Sequence, residues 1–396
     1  TMEKSMKICD ELSCTGCLAC ADTCKMQAIS VKKNGQGFSY PIINDAVCVR
    51  CGKCVSVCPV NVQKKNKAAT TPFACWDKDN EERKSATSGG FFTCLAKKFV
   101  KDGGVAYGAA YDSSLKVVHK RITSLNEVAQ IRGSKYVQSD TSQIYKKVKA
   151  DLSIGQKVLF SGTPCQVAAL KNYLGKDYEN LLLVDIMCHG VPSPLIYDDY
   201  RRWLENKQKS KIRKLDFRYK KPGWTVFSMK ADFENGKSYV SSKYEDPYHC
   251  FFSLGGGDLT LRQSCFKCHF TSPERVGDIT LADFWQYRAK TYSSRGSEKG
   301  VSLVLINTEL GKRYFESVGN KIKKEEHTWE EAYISNLQFT KPNTIPTDYK
   351  NFWNTYYDGG FAKVLEKYWK PDKKGKYKTL LIVWKRAHEY LFPNKK

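Results

Sequence analysis

The sequence predicts an α/β chain, α+β overall, in which a small cysteine-rich module precedes a larger domain built on a parallel sheet. Three observations predict it. Two cysteine runs of identical spacing fall within the first sixty residues. A strand–helix–strand pattern with glycine punctuation follows further along. At 396 residues, 41% hydrophobic and 13% aromatic, the chain has room for the module plus one or two domains with cores of their own.

The runs carry the first element. Cys14, Cys17, Cys20 and Cys24 repeat the C-x2-C-x2-C-x3-C spacing of Cys48, Cys51, Cys54 and Cys58, the ligand run of bacterial-type [4Fe–4S] clusters. Two residues between ligands let a tight loop wrap three corners of a cubane and aim backbone N–H groups at its sulfides. The fourth cysteine leaves that loop and ligates the other cluster in two-cluster ferredoxins. Cys14, Cys17, Cys20 and Cys58 are therefore assigned to one cluster, and Cys48, Cys51, Cys54 and Cys24 to the second. Residues 29–31 and 38–40 flank Asn34-Gly35-Gln36-Gly37 as a hairpin. Residues 1–65 thus read as a two-cluster ferredoxin-like domain. Lys25 departs from the pattern, since proline usually follows the fourth cysteine, whereas Pro59 retains it. Zinc also binds Cys-x-x-Cys pairs, but the doubled triple spacing with a crossing fourth ligand favours iron.

Sixteen cysteines arranged this way need thiolates kept reduced, which points to the cytoplasm rather than a disulfide-bonded exterior. No run reaches the length of a membrane span, and the first residues carry no apolar core of a secretory signal. The formal charge of +24 is compatible with nucleic acid, anionic lipid or acidic protein; a lysine-rich solvated surface accounts for it equally well. No nucleic-acid module is recognisable, so no nucleic-acid partner is expected.

Residues 66–85 are polar and lysine-rich and read as a linker, with the larger domain over 86–340. Ser88-Gly89-Gly90 precedes an apolar stripe at Phe91, Phe92, Leu95 and Phe99, closed by Gly103-Gly104: a helix with a glycine stop. Such a small-residue start can take a phosphate, although most caps only begin helices. No G-x-G-x-x-G or P-loop motif occurs. Strands are expected over 104–111 and 116–122. Gly133-Ser134, between Arg132 and Lys135, suits an anionic ligand or a helix cap.

Residues 157–166 are the most informative. A short apolar strand runs into Gly162-Thr163-Pro164-Cys165, a helix follows through Val167, Leu170 and Leu174 to Gly175, and a second strand over 181–187 ends in Cys188-His189-Gly190. A parallel pair places both carboxyl ends on one edge, where open α/β sheets bind ligands. Cys165 and Cys188 meet there by topology. With the pair Cys265 and Cys268 they make four thiolates, enough for a third [4Fe–4S] cluster. Equally, Cys165 and Cys188 could be buried apolar residues, and the pair could bind something alone. His189 and His269 adjoin these cysteines as proton carriers or packed residues. Cys9, Cys75, Cys94 and Cys250 lack partners by spacing and read as core.

At these residues the sequence resembles the family of coenzyme F420 hydrogenase/dehydrogenase beta subunits, which includes the plant enzyme reducing 7-hydroxymethyl chlorophyll. The matching stretches are Ser88-Gly89-Gly90, Gly133-Ser134-Lys135-Tyr136, Gly162-Thr163-Pro164-Cys165-Gln166, Cys188-His189-Gly190-Val191-Pro192-Ser193, and Cys265 to Cys268 followed by Asp278-Ile279-Thr280-Leu281-Ala282-Asp283-Phe284-Trp285. The resemblance implies an FAD-containing α/β domain fed by the ferredoxin module, and favours the third cluster at Cys165, Cys188, Cys265 and Cys268. It puts FAD near Ser88, Gly89 and Gly90, near Gly133, Ser134, Lys135, Tyr136 and Gln138, and near Gly162, Thr163 and Pro164. Family members in bacteria lacking the deazaflavin often look like stand-alone reductases tied to surface-polysaccharide synthesis.

The last part, 341–396, reads as a basic helical extension. From Lys370 onward lysine and arginine outnumber acids, with apolar residues at 380–384 and 390–392. Such a helix can lie on an anionic membrane surface or dock on its own domain. The expected function is a reductase: electrons from an acidic ferredoxin-type partner or a deazaflavin pass through the clusters to FAD and then to an organic substrate. His189 and Lys135 are the candidate proton donors. The alternative is an electron-transfer subunit of a larger redox complex with no substrate of its own.

Overall fold

The computed structural model describes residues 6–68, 71–252, 257–290 and 297–372, with isolated positions 375, 377, 381 and 384 beyond. The first module is short loops on a hairpin. Strands β1 (Ile29–Lys33) and β2 (Ser39–Ile43) pair antiparallel, Ile29 opposite Ile43. Asn34 closes the turn, its side chain accepting from the N–H groups of Gln36 and Phe38.

The larger body is an eight-stranded mixed sheet. Its strands are β3 (Pro72–Asp77), β4 (Val105–Tyr111), β5 (Val117–Ile122), β6 (Val158–Gly162) and β7 (Leu181–Ile186). After an excursion through β8 (Ile212–Tyr219), β9 (Ser228–Phe233) and β10 (Ser238–Ser242), it gains β11 (Ile279–Asp283), β12 (Ser302–Ile306) and β13 (Ile322–Glu326). The order is β13-β3-β12-β11-β7-β6-β4-β5, with the run β4, β6, β7, β11 parallel and the outer strands antiparallel. Helices cover both faces of the parallel run, which explains its unbroken apolar stretches: Val158, Leu159 and Phe160 in β6 and Leu181 to Val184 in β7 are buried. The expected strand–helix–strand unit is present, with β6 and β7 parallel and joined by the helix Pro164–Leu174, which ends on a left-handed Gly175.

One expectation is corrected. The segment 66–85 is no linker throughout: β3 pairs with β12 and β13 inside the sheet, and the helix Asn80–Ser85 follows, capped by Asp79. The stretch after 341, read as a basic helical extension, begins with a helix that docks on its own domain. Its helix Tyr349–Tyr368, kinked at Gly359 and Gly360, buries Phe352, Trp353 and Val364 in one core with Phe217, Met229 and Phe251. That core joins the separate three-stranded sheet β10-β9-β8 to the helix Pro194–Gln208. The apolar tail positions 380, 382, 383 and 390–392, on which a membrane contact would rest, lie outside the described residues. Among the described residues no helix is long and apolar enough to cross a membrane.

Candidate redox site

The cysteine loops owe their wrap to left-handed residues. Gly16 (φ 66°) and Leu18 (φ 62°) turn the first loop into the helix Ala19–Thr23, which Cys24 caps, and Gly52 (φ 74°) turns the second into Lys53–Ser56. Positive φ costs little at glycine and more at Leu18. The thiol of Cys17, buried and facing Cys20, Cys58 and Cys14, is pushed well up. Burial with Cys14, Cys58 and Cys54 nearby pushes Cys20 up to about 12. Burial likewise raises Cys54, which faces Cys48 and Cys51. Cys9, read from sequence as core, packs against the module's small core and also lies beside Cys14 and Cys58, and its thiol proton holds both of theirs down. Among the described residues no three His, Cys, Asp or Glu side chains gather tightly enough for a single metal ion. A cubane fits such wider sets, because each thiolate binds a different iron.

The second set forms at the carboxyl edge of the sheet. β6 ends at Gly162, and Thr163 caps the next helix in a box with Gln166, whose Oε1 accepts from the Thr163 N–H at 3.0 Å. Cys165 follows, its Sγ 3.2 Å from Thr163 Oγ1. Cys188 lies two residues past β7, and Cys265 and Cys268 lie on and just after the turn Gln263–Lys267. Burial raises the Cys188 thiol, which faces Cys265, Cys165 and Cys268; burial and those neighbours push Cys265 up to about 12. The N–H of Val191 donates to Cys265 Sγ at 3.5 Å and that of Phe270 to Cys268 Sγ at 3.4 Å. Four converging thiols that accept backbone N–H groups suit a cubane. The end of β7 is locked behind them: Asp185, fully buried, bonds Thr280 Oγ1 and lies 3.3 Å from Arg275 Nη2.

Beside this set opens a cavity of about 680 Å³, a size typical of cofactor sites, about 300–1,000 Å³. Ser88, Gly90, Gly133, Ser134, Lys135, Tyr136, Gly162 and Thr163 line it, as do Cys188 and His189. Three predicted cofactor residues are not among the lining. Gly89 packs so tightly that a Cβ would sit 2.2 Å from the Cys75 carbonyl. Gln138 turns toward the ferredoxin module, donating to the Thr15 carbonyl at 2.9 Å. Pro164 is buried in the first turn of its helix. Lys135 Nζ donates to the carbonyls of Gln130, Arg132 and Gly133 at 2.9, 2.9 and 3.2 Å, and burial pulls it down to about 7. His189 donates from Nε2 to Asp258 at 2.7 Å and accepts at Nδ1 from Gln338 at 3.2 Å. His269, the other histidine beside the cysteines, is not in the lining.

Sequence reasoning missed several residues. His119 lines the cavity between Ser161 O at 3.1 Å and Ser139 Oγ at 3.0 Å, and burial pulls it down to about 4. Lys220 braces the Ser88 loop through its carbonyl at 2.6 Å. Arg262, wholly buried, ties the module to the domain: its Nε donates to the Cys14 carbonyl at 2.7 Å, Nη1 to Gln138 Oε1 at 3.0 Å and Nη2 to the Ser39 carbonyl at 3.1 Å. Its guanidinium lies 4.2 Å over Tyr40 and bears on the thiols of Cys14, Cys165 and Cys265. A basic residue three positions before the Cys265 pair was the available signal.

Fold and site together define an iron–sulfur electron-transfer protein with an α/β body. Residues 155–332 match the family described as the C terminus of the coenzyme F420 hydrogenase/dehydrogenase beta subunit, and residues 13–62 match the 4Fe-4S dicluster domain. The F subunit of the F(420)H(2) dehydrogenase of Methanosarcina mazei is 22% identical over 331 residues, covering 78% of this chain and 83% of that protein. The ferredoxin-type protein NapF of Haemophilus influenzae is 40% identical over 50 residues, 13% of this chain and 28% of its own length. A chain of the F420-reducing [NiFe] hydrogenase complex from Methanosarcina barkeri aligns over 74% of this chain and 94% of its own, at 16% identity and a TM-score of 0.43. Residues 155–332 of the chain thus resemble the C-terminal region of coenzyme F420 hydrogenase/dehydrogenase beta subunits, with a two-cluster 4Fe-4S domain ahead of the matched region.

Proposed function

We propose that the chain is the electron-transfer subunit of a larger redox assembly, with a third [4Fe–4S] cluster on Cys165, Cys188, Cys265 and Cys268 and a flavin, FAD, in the cavity. One observation carries this reading. The four thiols stand between the ferredoxin module and the cavity: Arg262 links them to Cys14 on one side, and Cys188 forms cavity wall on the other. A flavin supplies the exchange between single electrons and electron pairs. Of the residues read as flavin contacts, Ser88, Gly90, Gly133, Ser134, Lys135, Tyr136, Gly162 and Thr163 line the cavity and would hold it. The similarity of this chain to a dehydrogenase subunit supports an assembly.

A second reading, a reductase acting on its own organic substrate, draws on the length of the cavity, which continues past those residues to His189, Phe252 and Trp285. Anaerobic purification with iron, sulfide and flavin quantitation tests the cofactors: about twelve irons and one FAD per chain are expected, at four irons per cluster. Stoichiometric zinc with iron near zero overturns the reading. Turnover of a deazaflavin or other acceptor by the isolated chain, with no other subunits added, would favour the reductase instead.

A further inference from the structure

The far end of the cavity holds a charged group that neither the clusters nor the flavin residues explain. Arg218, near the end of β8, is 3% exposed and lines the cavity. Aromatic rings flank its guanidinium, Phe227 with its centroid 4.1 Å away and Trp285 at 4.9 Å. Nη1 donates to Tyr136 Oη at 2.8 Å and Asp283 Oδ2 at 2.9 Å. Nε and Nη2 are buried and have no hydrogen-bond partner among the described residues. Buried unpaired donors are costly, and more so on a charged group. The unpaired atoms are the ones that form the parallel two-donor edge of a guanidinium, the edge that takes a carboxylate or phosphate bidentately.

The charges nearby fit an anion. Asp283 is spent twice over, on Arg218 and, through Oδ1, on Trp224 Nε1 at 2.8 Å. Lys243, also in the wall, lies 5.0 Å from the Phe227 centroid and donates to the Thr225 carbonyl at 2.7 Å. Among the described residues lining this end, Arg218 and Lys243 are cationic and Asp283 is the acidic one. The aromatic walls add flat apolar area on which a planar acid can stack.

We propose that this end of the cavity is a subsite for an organic anion, held bidentately through its carboxylate or phosphate oxygens by Nε and Nη2 of Arg218. It goes beyond the electron-transfer reading and does not depend on it. The anionic group can come from a separate acid or from the phosphates of a dinucleotide lying along the same cavity.

The test uses the full chain and two isosteric probes, benzoate and its neutral amide benzamide, followed by calorimetry. The unmodified protein should bind benzoate about tenfold or more tightly than benzamide, the factor that about 1.4 kcal/mol of extra interaction gives. Arg218→Gln should abolish that preference, and Arg218→Lys, which keeps charge without the fork, should recover little of it. Equal affinity for the two probes in the unmodified protein overturns the proposal without any variant. A preference that survives Arg218→Gln overturns it as well, and full recovery by lysine overturns the bidentate geometry. Displacement of benzoate by FAD but not by riboflavin identifies the flavin's phosphates as the anion. Benzoate binding to FAD-loaded protein identifies a separate acid. Both outcomes support the subsite. The iron and flavin counts bear on the electron-transfer reading alone, so either can fail without the other.

Discussion

Replacing Arg262 by glutamine should make the cluster proposed on Cys14, Cys17, Cys20 and Cys58 harder to reduce. The residue is wholly buried, its Nε 2.7 Å from the Cys14 carbonyl, and its charge bears on the Cys14 thiol. Taking a separation of about 7 Å for illustration and an effective dielectric of about 20, Coulomb's law gives about 2.4 kcal/mol of stabilisation for one added electron. For a one-electron couple about 1.4 kcal/mol corresponds to about 59 mV, so the full effect is on the order of 100 mV. Spreading the electron over four irons lowers this to roughly 50–100 mV. A fixed positive charge favours the reduced, more negative cluster, so its loss shifts the potential downward. Glutamine keeps a polar side chain at the seam while removing the charge. The assay is an EPR-monitored redox titration of anaerobically prepared protein, with iron content confirming that clusters are intact. A shift smaller than about 20 mV with full iron would refute the electrostatic role and leave Arg262 a packing residue.

Cys165→Ala or Cys268→Ala should lower iron by about four per chain while leaving the EPR signals of the ferredoxin module in place; unchanged iron in both variants means these thiols are structural. Because burial holds His119 at about 4, against an ordinary value near 6.5, the folded chain resists a proton that the unfolded chain accepts. Its contribution is therefore complete above pH 6.5 and is lost as pH falls toward 4, a total of about 3 kcal/mol. Urea titrations across that range should show a flatter pH slope in His119→Gln, and an unchanged slope would clear His119 of the effect. Reduction by an acidic ferredoxin should slow as ionic strength rises, since about 8 Å of screening at physiological salt shortens the field of a chain carrying +24; salt-independent kinetics would remove charge steering from the account.

The parts legible in the sequence are those whose signal is local. The doubled cysteine spacing, the Asn34 turn and the β6–helix–β7 unit each declare themselves within about thirty residues, the span of a βαβ unit. Topology then delivered the meeting of Cys165 with Cys188, because parallel strands share their carboxyl edge. What escaped depends on distant partners. β3 is six residues in a polar stretch, and only its pairing with 302–305 and 322–326 makes it a strand. Arg218 and Arg262 look like any surface cation in a basic chain; only the fold, which seats one between aromatic rings and the other on Cys14, separates them from the solvated lysines. Gln138 sat in the right motif yet faces the module, where it donates to the Thr15 carbonyl and accepts from Arg262 Nη1, partners more than a hundred residues away in sequence.

Two glycines of the ferredoxin module meet the larger body at contact distance. A Cβ on Gly16 would come within 2.7 Å of both Arg262 Nη1 and Gln138 Nε2, and one on Gly37 within 2.6 Å of Leu195 Cβ; both residues have positive φ. Ser193 Oγ adds a bond to the Gln36 carbonyl at 2.6 Å. The module is therefore seated like a keyed part rather than hung on a tether. Grafting in a free-standing ferredoxin of the same cysteine spacing should fail at these two points unless it too carries glycine there. The distance from the module's cysteine loops to the thiols at the sheet edge is therefore set by the assembled chain, not by a linker's length.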